Sequence, residues 1–383
     1  MVRKIITYSS LFPSRSRPVN GLFVAELVKS LASSIQVSVI APVIAHRNLK
    51  ESWYGQRKYY FSDTIEVKAP LSLNFPKILK STDGYLMAAC TRQAFKKSVD
   101  ENTDLVHAHF AYPDAVAAGI LAAEVRLPLV VTVHGSDINV LAKNLNRRHQ
   151  ILKTLQSANA VITVASDLKR KVIELGVSEE FVYHVPNGVD ISKFCPGNKV
   201  NARKKLGLDH YKRLLLTVGN LVPVKAFDRL LIALSHLEPD IGLLLVGEGH
   251  QRARLERLAQ TLGLEERVQF AGAVKHDELS VCYQAADFLV ISSHSEGWPT
   301  VIYEALACGT PIIANGVGGI PEALFSSELG LLMRDNDCRT IVQAISTAYE
   351  RDWKREAAVF VAKRHSWDEI ARQYLEIYEK VLS

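Results

Sequence analysis

Short, almost uninterrupted apolar segments alternate with segments of helical periodicity along this chain, and this alternation constrains the fold more than any other feature. Leu129–Val133 and Val161–Ala165 are two such apolar segments, and Asp167–Leu175 has helical spacing that Gly176 ends. Strands without polar alternation are typical of a parallel sheet covered by helices on both faces. The pattern therefore predicts an α/β protein.

The alternation starts again after residue 190, which indicates two domains. In the first half, the other predicted elements are the strands Arg3–Tyr8, Gln36–Ala41 and Leu105–His107 and the helices Leu22–Ser33 and Ala115–Val125. In the second half, they are the strands Leu214–Val218, Leu243–Val246, Val268–Ala271, Phe288–Ser292 and Pro311–Ala314 and the helices Ala226–Leu237 and Arg252–Leu262. The length of 383 residues also suits two domains.

Turn-forming residues Val185–Asp190, followed by a polar stretch around Pro196-Gly197-Asn198, predict the linker. We therefore predict a first domain over residues 1–190 and a second over 191–365. An amphipathic helix within residues 366–383 is expected to pack back on the first domain. Two such sheets that face each other would create a cleft, and ligands of open α/β sheets bind outside the carboxyl ends of the strands.

Composition excludes several classes of protein. No apolar run approaches the roughly 20 residues of a membrane-spanning helix, and the N-terminal apolar run is too short for a signal peptide, so we expect a first strand there. Five scattered cysteines without a CxxC spacing disfavour a disulfide framework or a zinc site. These features predict a protein of the reducing cytoplasm, and no nucleic-acid partner is expected.

The positive charge of the chain lies in its first half. Residues 1–180 hold 23 Lys and Arg against 15 Asp and Glu, whereas the remainder holds 23 against 25. Such asymmetry suggests an anionic partner, either a phosphate-bearing substrate or the inner face of the cell membrane. The basic amphipathic stretch 75–99 is one candidate for membrane contact. A charge that serves solubility alone, and an ordinary packed helix, are the alternatives.

Two glutamates flank a turn in the second half. The predicted strand Phe288–Ser292 leads through Glu296 into the turn Gly297-Trp298-Pro299-Thr300, and Glu304 follows in a helical segment. Proline suits the first helical turn, and the N–H groups of a helix start bind anions such as a diphosphate. One carboxylate on each side of a diphosphate matches the hydroxyls of a nucleotide sugar. Two glutamates without a shared task are the alternative.

The stretch Ser295–Glu322 closely resembles the signature of the retaining glycosyltransferases of family 4, in which two glutamates are separated by seven residues. Four further segments match blocks of this family, namely Val185–Asp190, Leu216–Lys225, Leu245–Gly249 and Arg267–Gly272. The resemblance covers nearly the whole chain. It implies the GT-B fold, which has two facing Rossmann-like domains with a cleft between them.

The resemblance implies roles for residues of the second half. Glu296 would hold sugar hydroxyls, Glu304 the ribose, and Lys225 the leaving diphosphate. The turn Gly297-Trp298-Pro299-Thr300 would contact the donor, and the loop Gly272–Val274 would line the base. The chain departs from the family at Asn220, where an arginine is common, and at Ala226, where glycine is usual. Asn220 is retained as a candidate donor contact with one positive charge fewer.

In the first half, the resemblance assigns donor contacts to Gly21 and His134. His134 follows the strand Leu129–Val133. Arg15 and Arg17, in the long loop after the first strand, are candidates for acceptor contact, and solvated loop charges are the alternative. The acidic residues Asp114 and Asp137 are further candidates for acceptor contact. We expect His107 and His109 to be structural.

These observations predict a retaining, metal-independent hexosyltransferase. Its donor would be a UDP- or GDP-sugar, with no cofactor, and its acceptor a lipid-linked or glycan hydroxyl in surface polysaccharide synthesis. No Asp-x-Asp motif lies in a position suited to a metal. Positioning of the reactants and stabilisation of the diphosphate charge would supply the catalysis. A synthase with a soluble acceptor and a non-catalytic nucleotide-sugar-binding scaffold are the alternatives.

Overall fold

The computed structural model describes residues 2–14, 20–44, 58–62, 65–73 and 81–383. The chain forms two compact units. The first comprises Met1–Gly188 and Trp367–Ser383, and the second comprises Val189–Ser366. Within the described residues, no helix has both the length and the apolar character that crossing a membrane requires.

A mainly parallel sheet forms the centre of the first unit. Its described strands are β1 (Lys4–Tyr8), β2 (Gln36–Ile40), β4 (Lys58–Ser62), β5 (Ile65–Lys68), β7 (Thr103–His109), β8 (Leu129–Val133), β9 (Ala160–Thr163) and β10 (Val182–His184). Their spatial order is β10-β9-β8-β7-β1-β2-β5-β4, with only β4 antiparallel to its neighbour among these strands. Strands β3 (Val43–Ile44) and β6 (Leu71–Ser72) form a separate small parallel pair. The strand order reverses between β1 and β7, where an open α/β sheet binds its ligand.

Helices bury apolar side chains against this sheet. Among the described residues, the α-helices of four or more residues are Leu22–Leu31, Asp83–Lys96, Val116–Val125, Ser136–Asn139, Leu145–Ser157, Ser166–Glu174 and Trp367–Leu382. The C-terminal helix Trp367–Leu382 joins the same hydrophobic core as Leu22–Leu31. A buried polar network also fixes it, since the hydroxyl of Tyr378 lies 2.8 Å from Nδ1 of His107 and Oγ1 of Thr132 lies 2.8 Å from Nε2 of the same ring.

The second unit contains a parallel sheet with Rossmann strand order. Its described strands are β11 (Arg213–Val218), β12 (Ile241–Val246), β13 (Val268–Gly272), β14 (Phe288–Ile291), β15 (Ile312–Asn315) and β16 (Gly330–Met333). The spatial order is β13-β12-β11-β14-β15-β16. The order reverses between β11 and β14, so the loops after these two strands lie at the ligand-binding point of this fold.

The helices of the second unit of four or more residues are Lys199–Leu206, Phe227–Ser235, Arg252–Thr261, Leu279–Ala285, Thr300–Ala307, Ile320–Ala323, Cys338–Glu350 and Arg355–Lys363. Buried leucines of β11, β12 and the helix Phe227–Ser235 form much of its core. The polar stretch that we read as linker contains the helix Lys199–Leu206. Its N-cap is Asn198, whose side-chain oxygen accepts the N–H of Asn201 at 3.0 Å, and Gly207 ends it. The helix is mainly polar, which is why apolar periodicity did not indicate it.

The basic stretch 75–99 lies in part outside the described residues. Its described portion forms the helix Asp83–Lys96, which buries Met87 and Phe95. On its exposed side, Arg92 and Lys96 form ion pairs of 2.8 and 3.5 Å with Glu124. The described portion is therefore a packed helix with partly neutralised charges.

Candidate active site

An ion pair joins the two loops at the reversal point of the second sheet. Lys225 follows β11, Glu296 follows β14, and Nζ of Lys225 lies 2.6 Å from Oε1 of Glu296. Both side chains are mostly buried, with 23% and 10% of their surface exposed. A lysine and a carboxylate are thus available together where a Rossmann-like sheet binds a ligand.

Short hydrogen bonds hold this pair in place. The hydroxyl of Ser293 donates to Oε1 of Glu296 at 2.5 Å. The hydroxyl of Ser292 donates to the carbonyl of Lys225 at 2.9 Å, and the N–H of His294 donates to the carbonyl of Val224 at 2.8 Å. These bonds therefore connect the two loops that carry the charged groups.

The glycine-rich loop after β15 packs on the backbone of the Glu296 turn. A Cβ on Gly318, which has a φ of +57°, would lie 1.8 Å from the carbonyl oxygen of Glu296. The neighbouring N–H of Gly319 donates to the carbonyl of Gly297 at 3.0 Å. Glycine at position 318 is therefore required by both its conformation and the close approach of two backbones.

The turn after Glu296 leads into the helix Thr300–Ala307. Pro299 stands directly before the first turn rather than inside it, as its N-cap residue. Trp298 is buried, and its ring stacks on Tyr303 with centroids 5.6 Å apart. This packing fixes the start of the helix, where N–H groups without intrahelical partners favour anions.

Glu304 is buried in the helix Thr300–Ala307, with 7% of the residue exposed. Its Oε2 accepts the hydroxyl of Tyr283 at 2.7 Å, and its Oε1 lies 3.1 Å from Nε2 of His276. Burial raises the pKa of Tyr283 well above its usual value, so this hydroxyl stays a donor. Glu296 and Glu304 thus belong to separate hydrogen-bond networks.

The remaining predicted donor residues of the second unit lie on the same edge of the sheet. Asn220 is exposed in the loop after β11, and Val274 is half-buried in the loop after β13. Ala226 adopts a left-handed conformation with φ +51° and ψ +38°. This conformation gives a physical reason for the glycine that the family resemblance implies at this position.

In the first unit, His134 follows β8 and is packed among aromatic rings. The rings of Phe23 and Phe110 lie 4.7 and 4.5 Å from it between centroids. Its Nε2 lies 3.2 Å from Nδ1 of His109, which our sequence analysis treated as structural. Burial lowers the pKa of His134 well below its usual value and that of His109 to about 3, so both rings are neutral at pH 7.

His107 and His109 lie two residues apart on β7. Residues two apart on a strand share a face, and their ring centroids lie 4.2 Å apart. A stack therefore runs from His107, in the buried tyrosine network, through His109 to His134. The sequence alone does not show which strand-end side chain this face meets.

The two acidic candidates of the first unit are fully buried and bind backbone groups. Oδ1 of Asp137 accepts the N–H of Gly135 at 2.8 Å, and Oδ2 accepts that of Ala111 at 2.9 Å. Asp114 accepts the N–H and, at 3.0 Å, the hydroxyl of Ser10. Burial raises the pKa of Asp114 to about 7. This geometry favours loop positioning for both residues over the acceptor contact that we expected.

Gly21 caps the helix Leu22–Leu31 with a φ of +68°. A Cβ at this position would lie 2.1 Å from the carbonyl oxygen of Leu11, so only glycine fits. The acceptor candidates Arg15 and Arg17 precede it and lie outside the described residues.

Comparison with known proteins decides the family. Residues 21–193 match the family described as Glycosyltransferase Family 4, and residues 198–374 match that described as Glycosyl transferases group 1. The putative teichuronic acid biosynthesis glycosyltransferase TuaC of Bacillus subtilis is 31% identical, over 93% of this chain and 92% of its own length. The chain belongs to the group 1 glycosyltransferases.

A second curated relative of this glycosyltransferase is the N-acetyl-alpha-D-glucosaminyl L-malate synthase of Bacillus anthracis. It is 29% identical over 74% of this chain and 76% of its own length. Among solved structures, Anabaena HepE in complex with UDP has a TM-score of 0.76 and 22% identity, over 99% of this chain and 100% of that chain. The predicted fold class, two Rossmann-like α/β domains of the GT-B type, is confirmed.

Proposed function

We propose that this glycosyltransferase moves a hexose from a UDP-sugar to a hydroxyl of a lipid-linked or glycan acceptor, with retention of the anomeric configuration, in surface polysaccharide synthesis. The observation that carries the proposal is the ion pair of Lys225 with Glu296 at the reversal point of the second sheet. The UDP in the HepE structure supports the choice of nucleotide. The teichuronic acid pathway in the name of TuaC supports the class of acceptor.

In this proposal, cationic and N–H groups stabilise the charge of the leaving diphosphate. Lys225 and the start of the helix Thr300–Ala307 supply that charge stabilisation in the second unit. Binding of the donor displaces Lys225 from Glu296 toward the phosphates. Glu296 then accepts hydrogen bonds from hydroxyls of the transferred sugar.

Other residues hold the rest of the donor. Glu304 accepts the ribose hydroxyls, and Val274 lines the base. From the first unit, His134 and Gly21 contribute contacts to the sugar and the phosphates. A neutral His134 is suited to hydrogen bonding with sugar hydroxyls rather than to ion pairing with phosphate.

We propose that transfer proceeds without a metal ion. The triplet Asp335-Asn336-Asp337 has the Asp-x-Asp pattern, but its carboxylates accept backbone N–H groups at the start of the helix Cys338–Glu350. Oδ1 of Asp335 accepts the N–H of Asp337 at 3.0 Å, and Oδ2 of Asp337 accepts that of Arg339 at 3.4 Å. Full turnover in EDTA, compared with added Mg²⁺ or Mn²⁺, would support this assignment, whereas loss of turnover in EDTA and its recovery with metal would contradict it.

A soluble acceptor is the second candidate. The N-acetyl-alpha-D-glucosaminyl L-malate synthase among the relatives has a small hydroxy acid in its name, and its similarity extends over 74% of this chain. The same donor site would serve both kinds of acceptor, because the residues discussed above bind the donor. The two candidate functions therefore predict products in different phases of an extraction. A lipid-linked product enters the organic phase, and a soluble product stays in water.

The experiment uses the purified full-length chain with radiolabelled UDP-glucose, UDP-galactose, UDP-N-acetylglucosamine and GDP-mannose. Each donor is incubated with a bacterial lipid extract or with malate. Label in the organic phase supports the lipid-linked acceptor, and label in a new water-soluble glycoside supports the soluble one. Absence of both transfer and donor hydrolysis above the level of Glu296→Gln would contradict the proposal and favour a scaffold.

We also propose peripheral contact of the first unit with the anionic inner face of the membrane. The excess of basic residues over 1–180 supports it. We expect the protein to co-sediment with vesicles that contain 30% phosphatidylglycerol. Its affinity for these vesicles should be about tenfold higher at 50 mM than at 300 mM salt. Equal recovery with neutral vesicles would contradict this proposal.

A further inference from the structure

The carboxylate of Glu304 contacts other side chains through both of its oxygens. The hydroxyl of Tyr283 donates to Oε2 at 2.7 Å, and Nε2 of His276 lies 3.1 Å from Oε1. A buried carboxylate is stable only when such donors satisfy it. The two donors therefore determine the direction in which the remaining lone pairs of Glu304 point.

One aromatic ring supports both donors. Phe194 is 1% exposed, and it contacts the ring of His276 edge-on at 5.1 Å and that of Tyr283 at 5.8 Å between centroids. The backbone of Tyr283 is fixed as well, because the hydroxyl of Thr310 donates to its carbonyl at 2.7 Å. The donors thus have little freedom, and the carboxylate that they hold is preorganised.

The two donors differ in their place in the fold. Tyr283 is fully buried in the helix Leu279–Ala285, whereas His276 is half-buried and follows Val274 in the loop after β13. That loop is assigned to the nucleobase in our proposed function. His276 therefore connects the position of the base-lining loop to the orientation of the glutamate.

We infer that Tyr283 and His276 are positioning residues that preset Glu304 for a vicinal diol, so that they determine the preference of the site for a ribonucleotide. The inference rests on the proposed function, since it takes Glu304 as the residue that contacts ribose. Tyr283 takes one lone pair of Oε2, and His276 takes one lone pair of Oε1. Each oxygen keeps one lone pair, so the two oxygens together accept the two hydroxyls of a ribose diol.

The test compares the affinities for UDP and for 2′,3′-dideoxy-UDP by calorimetry on the full-length chain. The wild type should bind UDP at least tenfold more tightly, because hydrogen bonds to a charged group are strong. Tyr283→Phe should reduce this ratio at least fivefold by weakening UDP, with the affinity for the dideoxy nucleotide changed less than twofold. His276→Ala should reduce the ratio about threefold, and His276→Gln, which keeps a donor, should restore it.

The matched control is Tyr211→Phe, which removes a hydroxyl that donates to the carbonyl of Glu266 at 2.8 Å elsewhere in the second unit. It should leave the ratio unchanged. His276 lies on a half-buried loop, so its two variants decide the matter even if Tyr283→Phe does not fold. An unchanged ratio in folded His276→Ala, or equal weakening of both nucleotides, would overturn the inference.

Failure of the proposed function gives a different result. A wild type that binds none of UDP, GDP and ADP would overturn both the donor assignment and the inference. A wild type that binds UDP and its dideoxy analogue equally would overturn the ribose contact of Glu304, and the inference with it, while leaving nucleotide binding in place.

Discussion

Nζ of Lys225 lies 2.6 Å from Oε1 of Glu296, although 71 residues separate the two in the chain. The contact exists because β11 and β14 are neighbours at the point where the strand order reverses. Each charge satisfies the other. A ligand that carries both a diphosphate and sugar hydroxyls can replace each partner with a group of suitable chemistry.

Removal of the Lys225 charge should impair transfer strongly. We expect Lys225→Met to lower kcat/KM about 100- to 1000-fold, because a preorganised charge at the leaving group is lost. Lys199→Met is the matched control, since Nζ of Lys199 also lies 2.6 Å from a carboxylate, that of Asp287, in an ion pair that we assign to structure. Steady-state kinetics below the melting temperatures should show a change of less than threefold in the control. Equal losses in both variants would contradict a specific role for Lys225.

Ala226 should be almost indifferent to replacement by glycine. Relief of its left-handed backbone should contribute about 1–2 kcal/mol, and loss of a buried methyl group and greater freedom of the unfolded chain should offset it. We expect the free energy of unfolding of Ala226→Gly to lie within about 0.5 kcal/mol of the wild-type value. Ala233→Gly, at a fully buried position of the helix Phe227–Ser235, should cost about 2 kcal/mol. Urea denaturation measures the free energy of unfolding of both variants. Similar losses of stability in the two would contradict the explanation from the left-handed backbone of Ala226.

His134 and His109 should stay neutral throughout the physiological range. Burial lowers the pKa of both rings, to about 3 for His109, so protonation favours the unfolded state and stability is lost as the pH falls below the unfolded value of about 6.5. Nitrogen NMR of the imidazole rings should show no titration of either residue between pH 5.5 and 8. A midpoint near 6.5 for His134 would contradict its lowered pKa and its proposed role as a neutral hydrogen-bonding group.

Asp114 should make the first unit less stable as the pH rises. Its pKa of about 7 lies above the unfolded value of about 3.9, so the native state binds more protons between these values and stability falls from pH 4 to pH 7. In the wild type, the free energy of unfolding should fall by a few kcal/mol over this range. Asp114→Asn should remove this pH dependence, because an amide keeps an acceptor for the N–H of Ser10 without a titratable charge. Thermal unfolding of the wild type and Asp114→Asn at several pH values from 5 to 8 tests this prediction. Melting temperatures that change with pH in the same way in both proteins would contradict it.

The strands were the most predictable part of the fold. The apolar runs near β8, β11 and β14 indicated a parallel sheet, because a strand buried on both faces has few polar residues. The helix Lys199–Leu206 was not indicated, since its stability comes from its cap and its packing rather than from an apolar stripe. Boundaries set by hydrogen bonding, such as the start of the helix at Thr300, differed by a residue or two.

The candidate site was predictable only as far as strand ends show it. The sequence predicts that the loops that carry Lys225 and Glu296 both follow strands. It does not predict their ion pair, because that contact depends on which strands are neighbours in the sheet. The buried environment of Asp137 was not readable either, because its partners are backbone N–H groups of two separate loops. The donors to Glu304 lie 21 and 28 residues before it in the chain, and no local pattern connects them.

The measurement that tests the account most directly is the kinetic comparison of Glu296→Gln with the wild type on the UDP-sugar that the wild type uses. Because Glu296 is assigned to the transferred sugar and not to the nucleotide, kcat should fall at least 100-fold while the Kd for UDP changes less than threefold. Retained turnover within threefold of the wild type, or a loss that appears only as weaker UDP binding, would contradict the assignment of the Lys225–Glu296 pair as the transfer site.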